Sequence, residues 1–294
     1  MKNKKWYDKS FFVIFTRSKN FKSNKYIGSY VLNLCGLHIY RVLITSFFYR
    51  VRLFQQFWRV NHNSRKQFIK NGYLIKDVAL SDSDRDLIFD LKNQSYNKYS
   101  VKEGSTTLTK YRIKKNKIFP LENIEIKNLL KYIHTKNSYP VLSYEEILQS
   151  NSINRQKDIQ SNWHRDTFHP CTKGWFFLTD VRSNNNGCFE YYQGSHRLTL
   201  RRLVWEYKQS LIACGNHNRG YNGAFRIDES CIRKVYPKSK KIVCEVPKET
   251  FLCANVFGFH RRGEVPINSV CTERESLWFN GRPYPFTPFV FGRR

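Results

Sequence analysis

From Leu37 onward the large apolar residues fall at Leu37, Tyr40, Ile44, Phe47, Val51, Phe54 and Trp58, in steps of three and four that trace one stripe of a helix. Arg41, Arg50, Arg52 and Arg59 lie off that stripe. The spacing predicts an amphipathic helix and leaves two uses for its stripe open: packing on the main domain, or lying in a membrane surface. A span through a membrane from Ile27 to Tyr49 is disfavoured, because Asn33, His38 and Arg41 would carry polar groups into hydrocarbon. Ahead of the helix the first 25 residues are basic and aromatic, with Arg17, Lys19, Lys22 and Lys25 crowded together, and they read as a weakly ordered arm.

Beyond Asn61 to Arg65 the pattern changes. Gly72 allows a turn, Tyr73 to Ile75 suit a short strand, and Ser81 or Asp82 can cap a helix reaching Leu91. The polar, lysine-rich stretch from Asn93 to Lys117 has few apolar anchors and is either a lid near an active site or an exposed connection. Ile124 to Ile133 reads as a helix, and Tyr144 to Leu148 as another short one. From Trp163 short aromatic or β-branched runs follow one another: Trp175 to Val181, Cys188 to Tyr192, Lys241 to Val246, Thr250 to Phe257 and Ser276 to Phe279. Turn formers separate them, as at Ser183 to Gly187 and Pro247 to Glu249. Short strands without helical patterns between them argue for an antiparallel sandwich or barrel. The chain therefore divides into a basic arm with an amphipathic helical extension, residues 1–64, and a main domain, residues 65–294.

Composition narrows the class. An apolar fraction of 40% and an aromatic fraction of 16% over 294 residues exclude a disordered chain and allow a sizeable core. Lys and Arg number 51 against 23 Asp and Glu, a formal charge of +28. Such a field attracts polyanions or an anionic membrane face, unless it is only a solvated lysine-rich surface. With no zinc-finger spacing and no RNA-binding motif, sequence-specific nucleic-acid binding is not expected. Eight cysteines form no CxxC pair, and the run Phe11 to Phe15 behind Lys2, Lys4 and Lys5 is too short for a signal sequence. They read as reduced core thiols of a cytoplasmic protein, with peripheral membrane contact as an option.

The candidate chemistry begins at Trp163-His164-Arg165-Asp166. On a strand, positions i and i+2 share a face, so the His164 imidazole and the Asp166 carboxylate point together. A third ligand from elsewhere would complete the set of two histidines and one carboxylate used by non-haem Fe(II) oxygenases, whose open positions accept a bidentate 2-oxo acid and dioxygen. An isolated HxD fits equally well a core histidine bonded to a nearby carboxylate. The candidates for the third position are His260, which follows a strand-like apolar run, and His169, only five residues beyond His164. Arg274 opens a later strand-like run and can fork onto a distal carboxylate; Arg282 is the alternative. Trp163 and Trp175 wall the pocket or are plain core.

The string Gly187-Cys188-Phe189-Glu190-Tyr191-Tyr192-Gln193-Gly194-Ser195-His196-Arg197 resembles the glycine- and GSH-containing signature of the phytanoyl-CoA dioxygenase family. It follows Trp163 to Asp166 at that family's spacing, and the opening Phe68 to Tyr73 is also similar. Gln193 stands where the family usually has proline, and the gap from His260 to Arg274 is slightly long. The resemblance implies a mainly β (α+β) fold, with a double-stranded β-helix (jelly-roll or cupin-like) core, flanking helices and an N-terminal helical extension. It implies Fe(II) held by His164, Asp166 and His260, and 2-oxoglutarate as cosubstrate anchored by Arg274. It also implies hydroxylation of a small-molecule, acyl- or lipid-like substrate with release of succinate and CO2, since an acidic residue at Asp166 leaves no site for the halide that related halogenases bind. The net charge allows an anionic substrate, and residues 37–59 allow contact with an anionic membrane. A different class of function is a non-catalytic, basic membrane- or polyanion-binding protein on the same scaffold.

Overall fold

Burial alternates along Thr172–Phe177 and is continuous along Thr250–Asn255, so these segments form the covered middle of a sheet rather than its edge. The computed structural model describes the chain outside residues 1–10, 22–23, 79, 94–96, 104–105, 113–122, 139, 150–158, 183–186, 216–223, 264–271 and 291–294. In chain order the elements are α1 (Tyr30–Leu34), α2 (Leu37–Gln55), α3 (His62–Asn71), β1 (Tyr73–Asp77), α4 (Asp82–Asn93), β2 (Asn97–Glu103), β3 (Thr106–Arg112), α5 (Ile124–Ile133), β4 (Val141–Gln149) and β5 (His164–Arg165). They continue as β6 (Thr172–Phe177), β7 (Phe189–Tyr192), α6 (Leu200–Gly215), β8 (Phe225–Arg226), α7 (Glu229–Val235), β9 (Lys241–Cys244), β10 (Thr250–Asn255), β11 (His260–Arg262) and β12 (Thr272–Gly281).

Strands pair antiparallel in a seven-stranded sheet, β1-β10-β6-β12-β4-β3-β2, and a five-stranded sheet, β8-β5-β11-β7-β9. The two face each other through Phe177, Leu252 and Ala254 on one side and Phe189, Tyr191 and Cys244 on the other. This is the double-stranded β-helix, or jelly roll, in a mainly β, α+β chain. Helices α2 and α5 cover the outer face of the large sheet, where Tyr49, Leu53, Leu129 and Ile133 meet Phe176, Phe251 and Phe279. Trp205 of α6 and Ile232 of α7 pack with Phe225, Phe259 and Tyr192 behind the small sheet.

Several expectations are corrected. Residues 144–148 are not helical but lie within β4, central between β12 and β3, where cross-strand pairing outweighs the helical preference of that short run. The described part of the lysine-rich stretch is the β2–β3 hairpin. The N-terminal arm is ordered over its described residues: Val13, Ile14, Phe21 and Ile27 are buried and share a cluster with Trp205 and Phe225. The calls on Lys2, Lys4, Lys5, Lys22 and Ser183 to Asn186 lie outside the described residues.

Helix α2 is present but turned over. Its stripe faces outward, with Phe47 61% and Phe54 74% exposed, while Arg41 and Arg52 are 1% exposed. The polar side is inside because it finds fixed acceptors. Arg41 donates from Nε to Ile14 O (2.8 Å) and from Nη2 to Ser18 O (2.7 Å), and lies 3.9 Å from the Phe168 ring centroid. Arg52 donates to Thr135 Oγ1 (3.1 Å) and to the Thr287 carbonyl, and Tyr49 donates to Ile133 O (3.0 Å). These bonds offset only part of the cost of burying the charge, since burial still lowers Arg41 to about 9 and Arg52 to about 10. Among the described residues no helix is long and apolar enough to cross a membrane.

Candidate metal centre

Cross-strand register builds the centre. His260 on β11 stands directly opposite His164 on β5 and, on its other side, opposite Tyr191 on β7. The two imidazole centroids are 4.5 Å apart. Asp166 follows β5, its backbone N–H donating to Val256 O at 3.0 Å, and its Oδ1 is 3.6 Å from His164 Nε2 and 3.7 Å from His260 Nε2. One donor atom from each of the three residues lies within 4.8 Å of the others, and all three residues are buried. Arg165, between them, points the opposite way, into α6, as strand alternation requires.

The imidazoles are preset. His164 Nδ1 lies 2.7 Å from Asn162 O and His260 Nδ1 lies 3.0 Å from Gly258 O, so each donates its proton to a carbonyl and aims a bare Nε2 at Asp166. Burial, with His260 beside it, pushes His164 down to about 3, and burial also lowers His260. Burial would raise Asp166, but Lys173, then His260 and His164, hold it well below the usual carboxylate range. Lys173 Nζ is 2.7 Å from Asp166 Oδ2, and Lys19 of the N-terminal segment donates to Asp166 O at 2.7 Å. Two neutral nitrogens and one anionic oxygen converge with their lone pairs exposed, and that donor set suits a divalent iron with open positions. The residues fit the metal.

The glycine- and serine-rich turn after β7 is a clamp on this centre. Ser195 Oγ accepts from the N–H of Phe259, next to His260, at 2.8 Å, and Tyr191 OH donates to Asn255 O at 3.0 Å. A Cβ on Gly258 would lie 2.0 Å from Tyr191 OH, so only glycine lets β11 approach. Gly72 has φ 85°, and a Cβ there would meet His196 Nδ1 at 2.3 Å. Gln193 donates its backbone N–H to Lys240 O (3.0 Å) and its side-chain amide to Asn71 Oδ1 (2.8 Å), bonds the backbone of a proline could not make.

Two of the three ligand candidates, His164 and His260, line a pocket of about 300 Å³ together with both Arg274 and Arg282. Arg274 is buried, its Nη1 donating to Gly187 O at 2.6 Å. His169 is elsewhere, its Nδ1 3.2 Å from Pro170 O and its ring edge-on to Phe168. Trp175 lines the pocket, whereas Trp163 is core, 4.8 Å from Tyr192 by ring centroid. Lys110, Lys173, Arg261 and Arg262 also line it, and the sequence did not single them out. Lys110 comes from the β2–β3 hairpin, lies 3.5 Å from the Trp278 ring centroid and pairs with Glu145. Only the lysine richness of its segment hinted at it. The seven described cysteines are all free thiols, five of them buried.

The family model for phytanoyl-CoA dioxygenase matches residues 65–219. No curated protein matches the sequence. Similar crystal structures include the epimerase SnoN in complex with Fe3+, alpha ketoglutarate and nogalamycin RO, at 14% identity, covering 76% of this chain and 86% of that one, TM-score 0.47. They also include EctD from S. alaskensis with bound Fe, at 9% identity, covering 78% and 84%, TM-score 0.42. HygX from Streptomyces hygroscopicus with nickel and 2-oxoglutarate bound is 14% identical, covering 75% and 86%, TM-score 0.38.

Proposed function

Since the chain belongs to the phytanoyl-CoA dioxygenase family of non-haem iron, 2-oxoglutarate-dependent oxygenases, we propose that it hydroxylates a small, anionic substrate, with Fe(II) held by His164, Asp166 and His260. The convergence of three preset donor atoms within 4.8 Å carries this reading. Iron held there, with 2-oxoglutarate as cosubstrate and dioxygen as oxidant, would replace a C–H by a C–OH, one oxygen atom going to the product and the other to succinate as CO2 leaves. The chain's own part is positioning. The Asn162 and Gly258 carbonyls fix the tautomers, and Lys173 steadies the carboxylate from the side away from the imidazoles. We assign the cosubstrate's distal carboxylate to Arg274, a fork already oriented by Gly187 O, over Arg282. Lys110 pairs with Glu145 and Arg261 with Glu190, yet the pocket lining carries six cations against the one carboxylate of Glu145, a net positive wall that favours an anionic substrate, and Trp175, Phe177 and Trp278 supply its apolar part.

Anaerobic addition of Fe(II) and 2-oxoglutarate should produce the weak visible band of the metal-chelated 2-oxo acid, and air should then yield succinate. Arg274→Lys should raise the KM for 2-oxoglutarate more than Arg282→Lys. Folded protein that gives neither band nor succinate would leave a non-catalytic, polyanion-binding role.

The outward stripe of α2 supports a second element of the reading, a cytoplasmic protein resting on an anionic membrane through residues 37–59. Tyr40, Leu43 and Phe47 are exposed, and the chain's charge of +28 draws it to an anionic bilayer. The protein should float with phosphatidylserine vesicles, and Leu43→Glu with Phe47→Glu should abolish flotation; equal flotation of the two would end this assignment.

A further inference from the structure

Beneath α2 and α3 lies a second cavity of about 600 Å³ that shares no lining residue with the metal pocket. Its walls are mostly apolar, with Leu53, Phe54, Phe57 and Phe68 foremost. Phe54 and Phe57 stack at 5.7 Å between centroids, yet Phe54 is 74% exposed, so two aromatic rings stand at the mouth instead of in the core. A volume of this size is in the range of ligand pockets, about 300–1,000 Å³.

Two features make it more than a packing gap. First, Ser46 on the inner side of α2 and Tyr132 on α5 line it, and among the described residues neither buried hydroxyl has a hydrogen-bond partner. The neighbouring Thr45 shows the usual resolution, its Oγ1 donating back to Arg41 O at 2.6 Å, and Ser46 makes no such bond. An unmet buried hydroxyl is costly, and two along one wall mark a region that protein packing alone does not complete. Second, cations ring the cavity: Arg50 and Arg197 are exposed and Arg65 is half-buried, the last stacked 5.5 Å over Phe57 with its Nη1 donating to Phe57 O at 3.1 Å.

We infer that this cavity binds a single-chain anionic lipid, its hydrocarbon body against Leu53, Phe54, Phe57 and Phe68 and its anionic head on Arg50, Arg65 and Arg197. An apolar molecule without charge would leave the arginines idle, and a small free anion would leave the apolar walls unused. The site stands apart from the iron chemistry. It adjoins the bilayer contact, since Ser46 to Phe57 belong to the same segment, but Tyr40, Leu43 and Phe47 do not line it.

The test is a titration of the purified full chain with cis-parinaric acid as a monomeric fluorescent probe, with oleate, methyl oleate and inorganic phosphate as competitors. The expected result is saturable binding of one probe per chain, displaced by oleate, at least tenfold less well by methyl oleate, and not by phosphate. Ser46→Phe, which fills the cavity, should weaken the probe at least tenfold. Arg50→Glu with Arg197→Glu, both at exposed positions and so safe for folding, should weaken it about tenfold while leaving methyl oleate competition unchanged. Leu43→Glu with Phe47→Glu should lose vesicle flotation and keep probe binding, which separates a free lipid from a bilayer. Binding that does not saturate, that 2-oxoglutarate with Mn(II) displaces, or that both cavity variants leave unchanged would overturn the assignment.

Discussion

Two buried carboxylates, one on either side of strand β5, show how differently the same chemistry can be used. Glu206 on α6 is closed: Arg165 donates to it from Nε (2.9 Å) and Nη2 (2.8 Å), Arg202 Nε donates at 3.1 Å, and His38 Nε2 is 2.9 Å away. Asp166 is open: Lys173 occupies Oδ2, but the two imidazole nitrogens stop at 3.6 and 3.7 Å from Oδ1, too far for hydrogen bonds. Burial would raise both carboxyls, and cations pull both well below the ordinary range, Arg165 and Arg202 for Glu206 and Lys173 foremost for Asp166. The pKa direction alone does not separate a structural carboxylate from a metal ligand. The distances differ, because saturated partners leave no coordination site at Glu206, while Asp166 Oδ1 and the two imidazoles face one another just beyond hydrogen-bonding distance, as the proposed iron site requires.

That contrast can be broken by exchanging the consequences of removing each group. Asp166→Ala should lower Fe(II)-dependent succinate formation by more than about 100-fold, exceeding the ~10–100-fold typical of losing an outer partner of a metal ligand. Its thermal unfolding midpoint should move little; loss of folding with no specific loss of metal binding would mean that Asp166 is structural too. Glu206→Gln should do the reverse, costing about 3–5 kcal/mol in denaturant unfolding by leaving Arg165 and Arg202 buried without their anion. A change under ~1 kcal/mol would show that the network is dispensable.

The smallest expected effect concerns pH. Burial, with Lys136 nearby, pushes His134 down to about 3, and its side chain is fully buried. A histidine held neutral in the fold binds fewer protons than the unfolded chain below about pH 6.5, so stability must rise with pH across that window. His134 should therefore remove up to about 1.4 kcal/mol of stability per pH unit from roughly pH 6.5 towards 3. Glu206, whose pKa is depressed, contributes stability that is present above its unfolded value near 4.5 and is lost only at lower pH. Denaturant midpoints measured from pH 7.5 to 4.5 on the protein and on His134→Asn check this, with a shallower slope expected in the variant. Parallel slopes would place the acid sensitivity elsewhere.

Local pattern carried the existence of α2, of α5 over Ile124–Ile133 and of the strand series after Trp163, because each is written in a few consecutive residues. It also carried His164 and Asp166, two positions apart, and the Gly194-Ser195 turn, because short spacings translate directly into shared faces. Residues far apart in sequence decided the rest. The periodicity of α2 distinguishes two faces but does not say which is inside; that choice belongs to the carbonyls of Ile14, Ser18 and Thr287, which receive Arg41 and Arg52. The place of His260 opposite His164 is set by strand register, and Lys173 at Asp166 and Lys110 in the pocket wall by contacts between distant segments. Burial of charge is favourable only where a distant partner waits, and no run of neighbouring residues records where that partner will be.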